Sequence, residues 1–301
     1  MKFIIGSRGS QLALWQANWV KDRLAAARFD VEIKVIKTTG DKLQNVPLTQ
    51  SGTKGLFIKE IEEALAAGEV DLAVHSMKDL PTEQPPGLVV AAVPEREDAR
   101  DVFISRDGRR FGELPTGARV GTSSVRRQSQ LRKLRGDLEL VPLRGNLDTR
   151  LRKLGRGDCH ALVLAAAGVH RLGLRQRITE YFSPEQVCPA VGQGALAIEI
   201  RQGDESVGGA VKLLDHSATH QEVRAERAML RYLGGGCQVP IAAHATPQDA
   251  QLVLVGVVAS LDGSALIRAT ASGSISDPEG LGARVAQDLF DRGARSILKS
   301  I

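Results

Sequence analysis

Residues 119–131 read RVGTSSVRRQSQL: a short apolar start, a glycine, three small hydroxyl residues, and then a run with helical spacing. The pattern is that of a strand ending in a turn from which a helix starts, with serine as its N-cap. Free backbone N–H groups in the first turn of such a helix favour an anion. Arg126 and Arg127 nevertheless lie in that turn, where the helix dipole disfavours cations. A bound anion would remove the conflict. The same junction recurs in GSRGSQLAL, residues 6–14, with Arg8. It recurs again in LRGNLDTR, residues 143–150, where Arg144 precedes the helix start and Arg150 lies one turn inside it.

Outward from these junctions the chain alternates strand-like and helix-like segments. KFIIG, an amphipathic run from about Ser10 to Arg28, VEIKVIK, LFIKEIEEALAAG, DLAVHS and LVVAAV make a first block. RVGTS, a helix from about Ser124, LELVPL, a helix from about Leu147 and ALVLAA make a second. Alternation of this kind predicts parallel or mixed sheets covered by helices. VPEREDAR reads as a linker, and ALAIEI near residue 195 as a strand returning to the first sheet. The last ~85 residues differ: the helical run HQEVRAERAMLRYL stops at a triglycine, three β-rich segments follow, and a helix is expected from about Pro278 to Leu298. The expected division is residues 1–94 plus about 195–214, residues 99–190, and a small α+β domain with a three-stranded antiparallel sheet over 217–301. Residues 38–53 form a long polar connection of the kind that often serves as a lid.

HSMKDLPT, residues 75–82, follows the strand DLAV and so places Lys78 and Asp79 beyond a strand's carboxyl end, where ligands of open α/β sheets gather. An Asp in such a place is ordinarily a turn residue; facing a field of arginines, it competes for a catalytic role. That field is local. From Arg100 to Arg177 there are 18 Lys and Arg against 7 Asp and Glu, and sixteen of the basic residues are arginine. Arginine grips carboxylate or phosphate with a two-pronged fork, so an anionic partner is implied. Arg109, Arg110, Arg132, Lys133 and Arg135 read as solvated surface. Nucleic acid is a poor fit, because only Phe103 and Phe111 interrupt the basic stretch and no recognition motif accompanies it.

The three cysteines, Cys159, Cys188 and Cys237, are far apart and make no metal-binding or disulfide pattern. Cys159 reads as a small apolar residue opening a buried strand, and a dyad with His160 is discounted because adjacent strand residues face opposite ways. No metal is expected. The absence of a signal-peptide pattern or of ~20 consecutive apolar residues points to a cytoplasmic protein without a membrane partner.

Taken together, GSRGSQLALWQA, TTGD, GTKGLFIKEIEEAL, DLAVHSMKDLPT, GTSSVRRQSQL, LRGNLDTRL, AAAGVHRLG, PAVGQGALAIE and LGGGCQVPIAAHA stand in the order found in the porphobilinogen deaminases, also called hydroxymethylbilane synthases. The chain resembles that family over nearly its whole length. Gln50, where relatives often have lysine, and Thr53 depart from its pattern. The resemblance implies two periplasmic-binding-protein-like α/β domains flanking a cleft, followed by the small α+β domain, acting as a monomer. It implies a dipyrromethane cofactor held to Cys237 through a thioether. Porphobilinogen, the expected substrate, loses ammonia to give an electrophilic azafulvene, and four repeats build a linear tetrapyrrole. Asp79 is then the catalytic carboxylate. Ser76, Lys78, Thr122, Ser124, Arg126, Arg127 and Arg144 would hold the cofactor, and Arg8, Lys54, Phe57, Arg150, Arg171 and Gln193 the substrate. A periplasmic-type binding protein, which should carry a secretion signal, and a basic nucleic-acid binder are the competing classes.

Overall fold

A computed structural model of the chain describes residues 2–39, 58–235 and 239–300. Lys54, Phe57, Cys237 and most of the 38–53 connection lie outside the described residues. The chain divides into two compact units, Met1–Arg96 with Ala195–His220, and Glu97–Gly194 with Gln221–Ile301.

In the first unit, strands β1 (Lys2–Ser7), β2 (Asp30–Val35), β3 (Leu72–Ser76), β4 (Leu88–Ala92) and β10 (Leu196–Arg201) form a sheet of order β2-β1-β3-β10-β4. β1 runs parallel to β2 and β3, while β10, the returning segment ALAIEI, is antiparallel to β3 and β4. Side chains alternate across the pleat. Phe3, Ile5, Leu72, Val74, Ile198 and Ile200 pack on one face against Ala17, Val20 and Leu24 of α1 (Gln11–Ala26) and Val207 and Val211 of α6 (Glu205–Val211). Ile4 and Ala73 face the other way, toward Ile61 and Leu65 of α2 (Lys59–Ala66). Coverage of both faces is why these strands read as nearly continuous apolar runs.

The second unit contains two sheets. Strands β5 (Asp101–Ser105), β6 (Arg119–Gly121), β7 (Glu139–Val141), β8 (Ala161–Ala165) and β9 (Glu180–Tyr181) take the order β7-β6-β8-β5-β9. Helices α3 (Val125–Leu134), α4 (Leu147–Arg156) and α5 (Ala166–Arg171) follow β6, β7 and β8. Phe103, Phe111 and Phe182 meet edge to face, with centroids 5.2–6.1 Å apart. The two phenylalanines of the basic stretch are therefore core, not a platform for stacking bases. β5 itself is missed by the sequence reading, because its start is masked by the charges of VPEREDAR.

The final sheet is the expected antiparallel meander, β11 (Ile241–Gln248), β12 (Gln251–Ala259) and β13 (Leu266–Ser274). Above it lie α7 (Ser217–Tyr232) and α8 (Pro278–Asp291), closing a core with Met229, Leu252, Leu254, Leu281, Val285 and Leu289. Each buried leucine there contributes about 1.5–3 kcal/mol. The helix expected to Leu298 is two helices: Gly293 takes the left-handed conformation, φ +100°, between α8 and α9 (Ala294–Lys299). Cys188 packs with Ala242 and Val257, and the Ala243 N–H donates to the Pro189 carbonyl at 3.1 Å, which ties this sheet to the preceding α/β layer.

Candidate active site

In the first unit the carboxyl ends of β1 and β3 lie side by side. Ser10 caps α1, its hydroxyl accepting from the Ala13 N–H at 3.3 Å, and buried Ser7 donates through Oγ to the Ala13 carbonyl at 3.3 Å. Arg8 sits half-buried between the two serines. After β3, Met77–Asp79 form one turn of 3-10 helix. The Met77 N–H donates to the Ala195 carbonyl at 3.0 Å, and Gln16 Nε2 donates to Ser76 Oγ at 2.9 Å, binding this turn to β10 and α1. Met77 and Leu80 are buried on either side, so the pair between them is turned outward: Lys78 is half-buried and Asp79 exposed.

In the second unit Ser124 caps α3, accepting from the Arg127 N–H at 3.4 Å, while Thr122 Oγ1 accepts from the Ser124 N–H at 3.3 Å. The arginines that conflict with the dipole of this helix turn inward onto a carboxylate. Arg126 Nη1 donates to Asp101 Oδ2 at 2.7 Å and to the Cys188 carbonyl at 2.6 Å. Arg127 donates to Asp101 Oδ1 through Nε at 3.0 Å and Nη2 at 2.8 Å. Gln193 Nε2 donates to the same oxygen at 2.9 Å. Asp101 is fully buried and both arginines nearly so. Burial alone would raise the Asp101 carboxyl, but the guanidinium charges of Arg126 and Arg127 outweigh it and hold it well below the usual carboxylate range.

Asp101 is the functional neighbour that sequence reasoning misses. Its one sequence signal is a carboxylate opening the otherwise apolar strand DVFIS. Arg171 lies at the same turn as Gln193: 9% exposed, it donates through Nη2 to the Gly194 carbonyl at 2.7 Å, and burial pulls its pKa down to about 10 against the opposing pull of Glu97. The turn Gly192–Gly194 links these groups. Gly192 N–H donates to Glu226 Oε2 at 2.6 Å, Gln193 reaches Asp101, and the Gly194 carbonyl takes Arg171. Gly194 has φ +91°, and a Cβ there would stand 2.2 Å from the Glu97 carbonyl oxygen, so a side chain does not fit.

The β7–α4 junction lies alongside, joined by the Thr122 N–H donating to the Val141 carbonyl at 2.9 Å and Ser123 Oγ to the Leu143 carbonyl at 3.0 Å. Arg150 Nε donates to the Gly145 carbonyl at 2.8 Å, and Arg144 and Arg150 are both half-buried. The second unit thus gathers Thr122, Ser124, Arg126, Arg127, Arg144, Arg150, Arg171 and Gln193. Ser76, Lys78, Asp79 and Arg8 belong to the first unit. Buried and half-buried arginines beside hydroxyl donors make a set suited to carboxylates. Among the described residues no cluster of His, Cys, Asp and Glu is arranged to hold a metal ion. Arg135, read as solvated, is instead structural: its guanidinium donates to the Gly112 and Leu114 carbonyls at 3.1 and 3.0 Å.

The two described cysteines are buried. Burial pushes the Cys188 thiol up to about 12 and raises that of Cys159. His160 is not paired with Cys159; its Nδ1 accepts from the Arg119 N–H at 2.9 Å.

The family model described as porphobilinogen deaminase, dipyromethane cofactor binding domain, matches residues 3–208, and that of the porphobilinogen deaminase C-terminal domain matches residues 220–291. The chain belongs to the porphobilinogen deaminase family. A porphobilinogen deaminase of Pelobacter propionicus is 53% identical over 299 residues, covering 99% of this chain and 96% of that one. The porphobilinogen deaminase of Syntrophobacter fumaroxidans is 52% identical over 299 residues, covering 99% and 97%. Among solved structures, a putative methionine-binding lipoprotein of Bacillus subtilis is 15% identical, covers 71% of this chain and 89% of that one, and has a TM-score of 0.44. As a porphobilinogen deaminase the chain is a transferase, hydroxymethylbilane synthase, with a dipyrromethane cofactor. No described helix is long and apolar enough to cross a membrane.

Proposed function

We propose that the chain deaminates porphobilinogen and joins four molecules of it head to tail on a cofactor anchored at Cys237, releasing hydroxymethylbilane for heme- and chlorophyll-type biosynthesis. The structural observation that carries this reading is the pair of buried arginines on Asp101, set beside the hydroxyls of a strand-to-helix turn. Such a set suits the acetate and propionate arms of pyrroles. The bound dipyrromethane supplies an electron-rich pyrrole carbon as the nucleophile to which substrate is added. Arg126, Arg127, Arg144, Lys78, Ser76, Thr122 and Ser124 hold its carboxylates, and Arg8, Arg150, Arg171, Gln193, Lys54 and Phe57 hold the incoming ring. Asp79 faces the ring nitrogen, accepts its N–H hydrogen bond and offsets the positive charge that develops there as ammonia departs. The same carboxylate moves protons at the leaving amine and at the condensed carbon.

The working domains are residues 1–94 with about 195–214, residues 99–190, and residues 217–301. The protein acts as a cytoplasmic monomer with no nucleic-acid partner. Cys237 is the anchor because a thiolate is a strong nucleophile and its thioether resists hydrolysis, whereas the buried, high-pKa thiols of Cys159 and Cys188 are inert. Intact mass spectrometry of protein purified without added ligand tests this. A mass excess of two porphobilinogens less two ammonias is expected in the parent and in Cys159→Ser and Cys188→Ser. In Cys237→Ser both the excess and nearly all activity should vanish, and an excess that survived there would refute the anchor.

A further inference from the structure

Gln130 lies one turn beyond Arg126 on α3, so the two side chains share a face of the helix. It is 1% exposed. Both ends of its amide meet one residue of the stretch that leads toward the last sheet. Oε1 accepts from the Cys188 N–H at 2.7 Å, and Nε2 donates to the Cys188 carbonyl at 3.0 Å and to that of Arg126 at 3.3 Å. These partners, one N–H and two carbonyls, fix which end of the amide is which. Pro189 confines the residue before it to extended conformations, in which N–H and C=O point to the same side. One side-chain amide therefore pairs with Cys188 as a neighbouring strand would. Among the described residues no backbone group bonds to Cys188, so its hydrogen bonds are to Gln130 and Arg126.

The Cys188 carbonyl is also half of what holds Arg126. Nη1 of Arg126 directs one proton to that carbonyl at 2.6 Å and the other to Asp101 Oδ2 at 2.7 Å. Among the described residues, these are the hydrogen bonds that the Arg126 side chain makes. The remaining edge, Nε with Nη2, is the parallel pair of N–H groups that takes a carboxylate with two bonds. That edge is not sealed in the core. Among the described residues, the buried side-chain nitrogens and oxygens without a partner belong to Glu60, Glu62, His75 and Glu199. Arg127 is held the other way round, its own Nε and Nη2 both turned onto Asp101 Oδ1. Of the two arginines on this carboxylate, Arg126 is the one that keeps its fork for a ligand.

We propose that Gln130 is a positioning residue: by fixing the Cys188 carbonyl it holds Arg126 by Nη1 and aims the Nε–Nη2 fork at a carboxylate arm of the bound dipyrromethane. This rests on the reading in which Arg126 holds the cofactor. The step is geometric. A guanidinium bonded at one nitrogen to Asp101 alone pivots about that bond, whereas a second acceptor on the same nitrogen sets the plane of the group and hence the direction of its fork. Without Gln130 the buried Cys188 N–H has no acceptor, a penalty the segment relieves by shifting, and the carbonyl shifts with it. The same segment meets the last sheet, where Cys188 packs with Ala242 and Val257 and the Pro189 carbonyl accepts from the Ala243 N–H. Gln130 thus also holds α3 in register with that contact.

Gln130→Met keeps the length of the side chain and removes both bonds to Cys188. In full-length protein whose cofactor is verified by intact mass, it should lower kcat about ten-fold with KM within about two-fold, since the fork serves the cofactor and not the free substrate. Val285→Ala, in the core of the last sheet, supplies a destabilised control that should keep cofactor loading and kcat. The deciding measurement is a double-mutant cycle with Arg126→Lys, whose ammonium has no fork to aim. On that background Gln130→Met should change kcat by less than about two-fold, because its effect passes through the Arg126 guanidinium. A role in packing alone would lower stability and leave kcat of the loaded protein intact, or lower it by the same factor on both backgrounds; either result overturns the proposal. Arg126→Lys with the loading and turnover of the parent would overturn the reading of Arg126 and this proposal with it. An impaired Arg126→Lys beside an unimpaired Gln130→Met would overturn this proposal alone. Should Gln130→Met not fold, Gln130→Glu, which keeps an acceptor for the Cys188 N–H but no donor for its carbonyl, carries the same cycle.

Discussion

The two α/β sheets follow one plan, β2-β1-β3-β10-β4 in one and β7-β6-β8-β5-β9 in the other, each with three parallel strands, an antiparallel fourth and an edge strand. In each, the antiparallel strand bears a fully buried carboxylate, Glu199 in β10 and Asp101 in β5. The solutions to that burial are opposite. Asp101 is met by two guanidiniums and an amide, with both oxygens bonded, and stays ionised far into acid. Glu199 meets one imidazole and another acid, with neither oxygen hydrogen-bonded. The same fold thus holds one buried carboxylate in a fixed ionic framework and the other without a hydrogen-bonded partner, beneath the segment that carries Asp79.

The largest effect expected from breaking this contrast is in Asp101→Asn. It keeps the shape but leaves two buried guanidiniums without a counter-charge, and should cost about 3–5 kcal/mol of stability by denaturant unfolding. Because the folded carboxyl is depressed, the stability it gives is complete above its unfolded value near pH 4. It is lost as pH falls toward the folded value. Acid unfolding should therefore steepen below about pH 4 in the parent and flatten in Asp101→Asn. A variant as stable as the parent at neutral pH would remove Asp101 from its place as the keystone of the arginine set.

Next in size is Asp79→Asn, which affects rate and not stability. The side chain is exposed, so unfolding should shift by no more than about 0.5 kcal/mol. Losing one preorganised electrostatic contact should slow single-turnover ammonia release by about 10²–10³, in protein whose cofactor is verified by mass. Asp79→Glu, charged but displaced, should retain more activity than Asn. Release at the parent rate from Asp79→Asn would return the residue to an ordinary turn.

Much of this architecture is legible in the sequence because it rests on local signals. The glycine and hydroxyl junctions give the caps at Ser10 and Ser124, alternation gives both α/β sheets, and the triglycine ends α7. What escapes is non-local. Arg126 and Arg127 read as cations awaiting an external anion, since nothing within a helix turn announces a carboxylate 25 residues upstream. Glu199 reads as the polar member of the strand ALAIEI, since only pairing with β3 reveals that its face lies under α2. Arg135 reads as solvent-facing because its carbonyl partners come from an irregular stretch without a pattern of its own.

The smallest expected effects separate two surface arginines that sequence treats alike. Arg109 is exposed and stands 3.4 Å from Asp107, with both side chains about half accessible, a pairing that solvent and salt screen. Arg109→Leu should change stability by less than about 0.5 kcal/mol and leave ammonia release unaltered. Arg132 instead donates through Nη1 to the Leu261 carbonyl in the loop between β12 and β13, joining α3 to the last sheet. Arg132→Leu should cost about 1 kcal/mol, the usual net worth of one hydrogen bond, again without slowing turnover. Denaturant curves on both variants read the difference. If Arg132→Leu were as silent as Arg109→Leu, the contact between α3 and that loop would carry no stability. If either slowed turnover with its fold intact, the gripping set would extend beyond the arginines gathered near Asp101 and the β7–α4 junction.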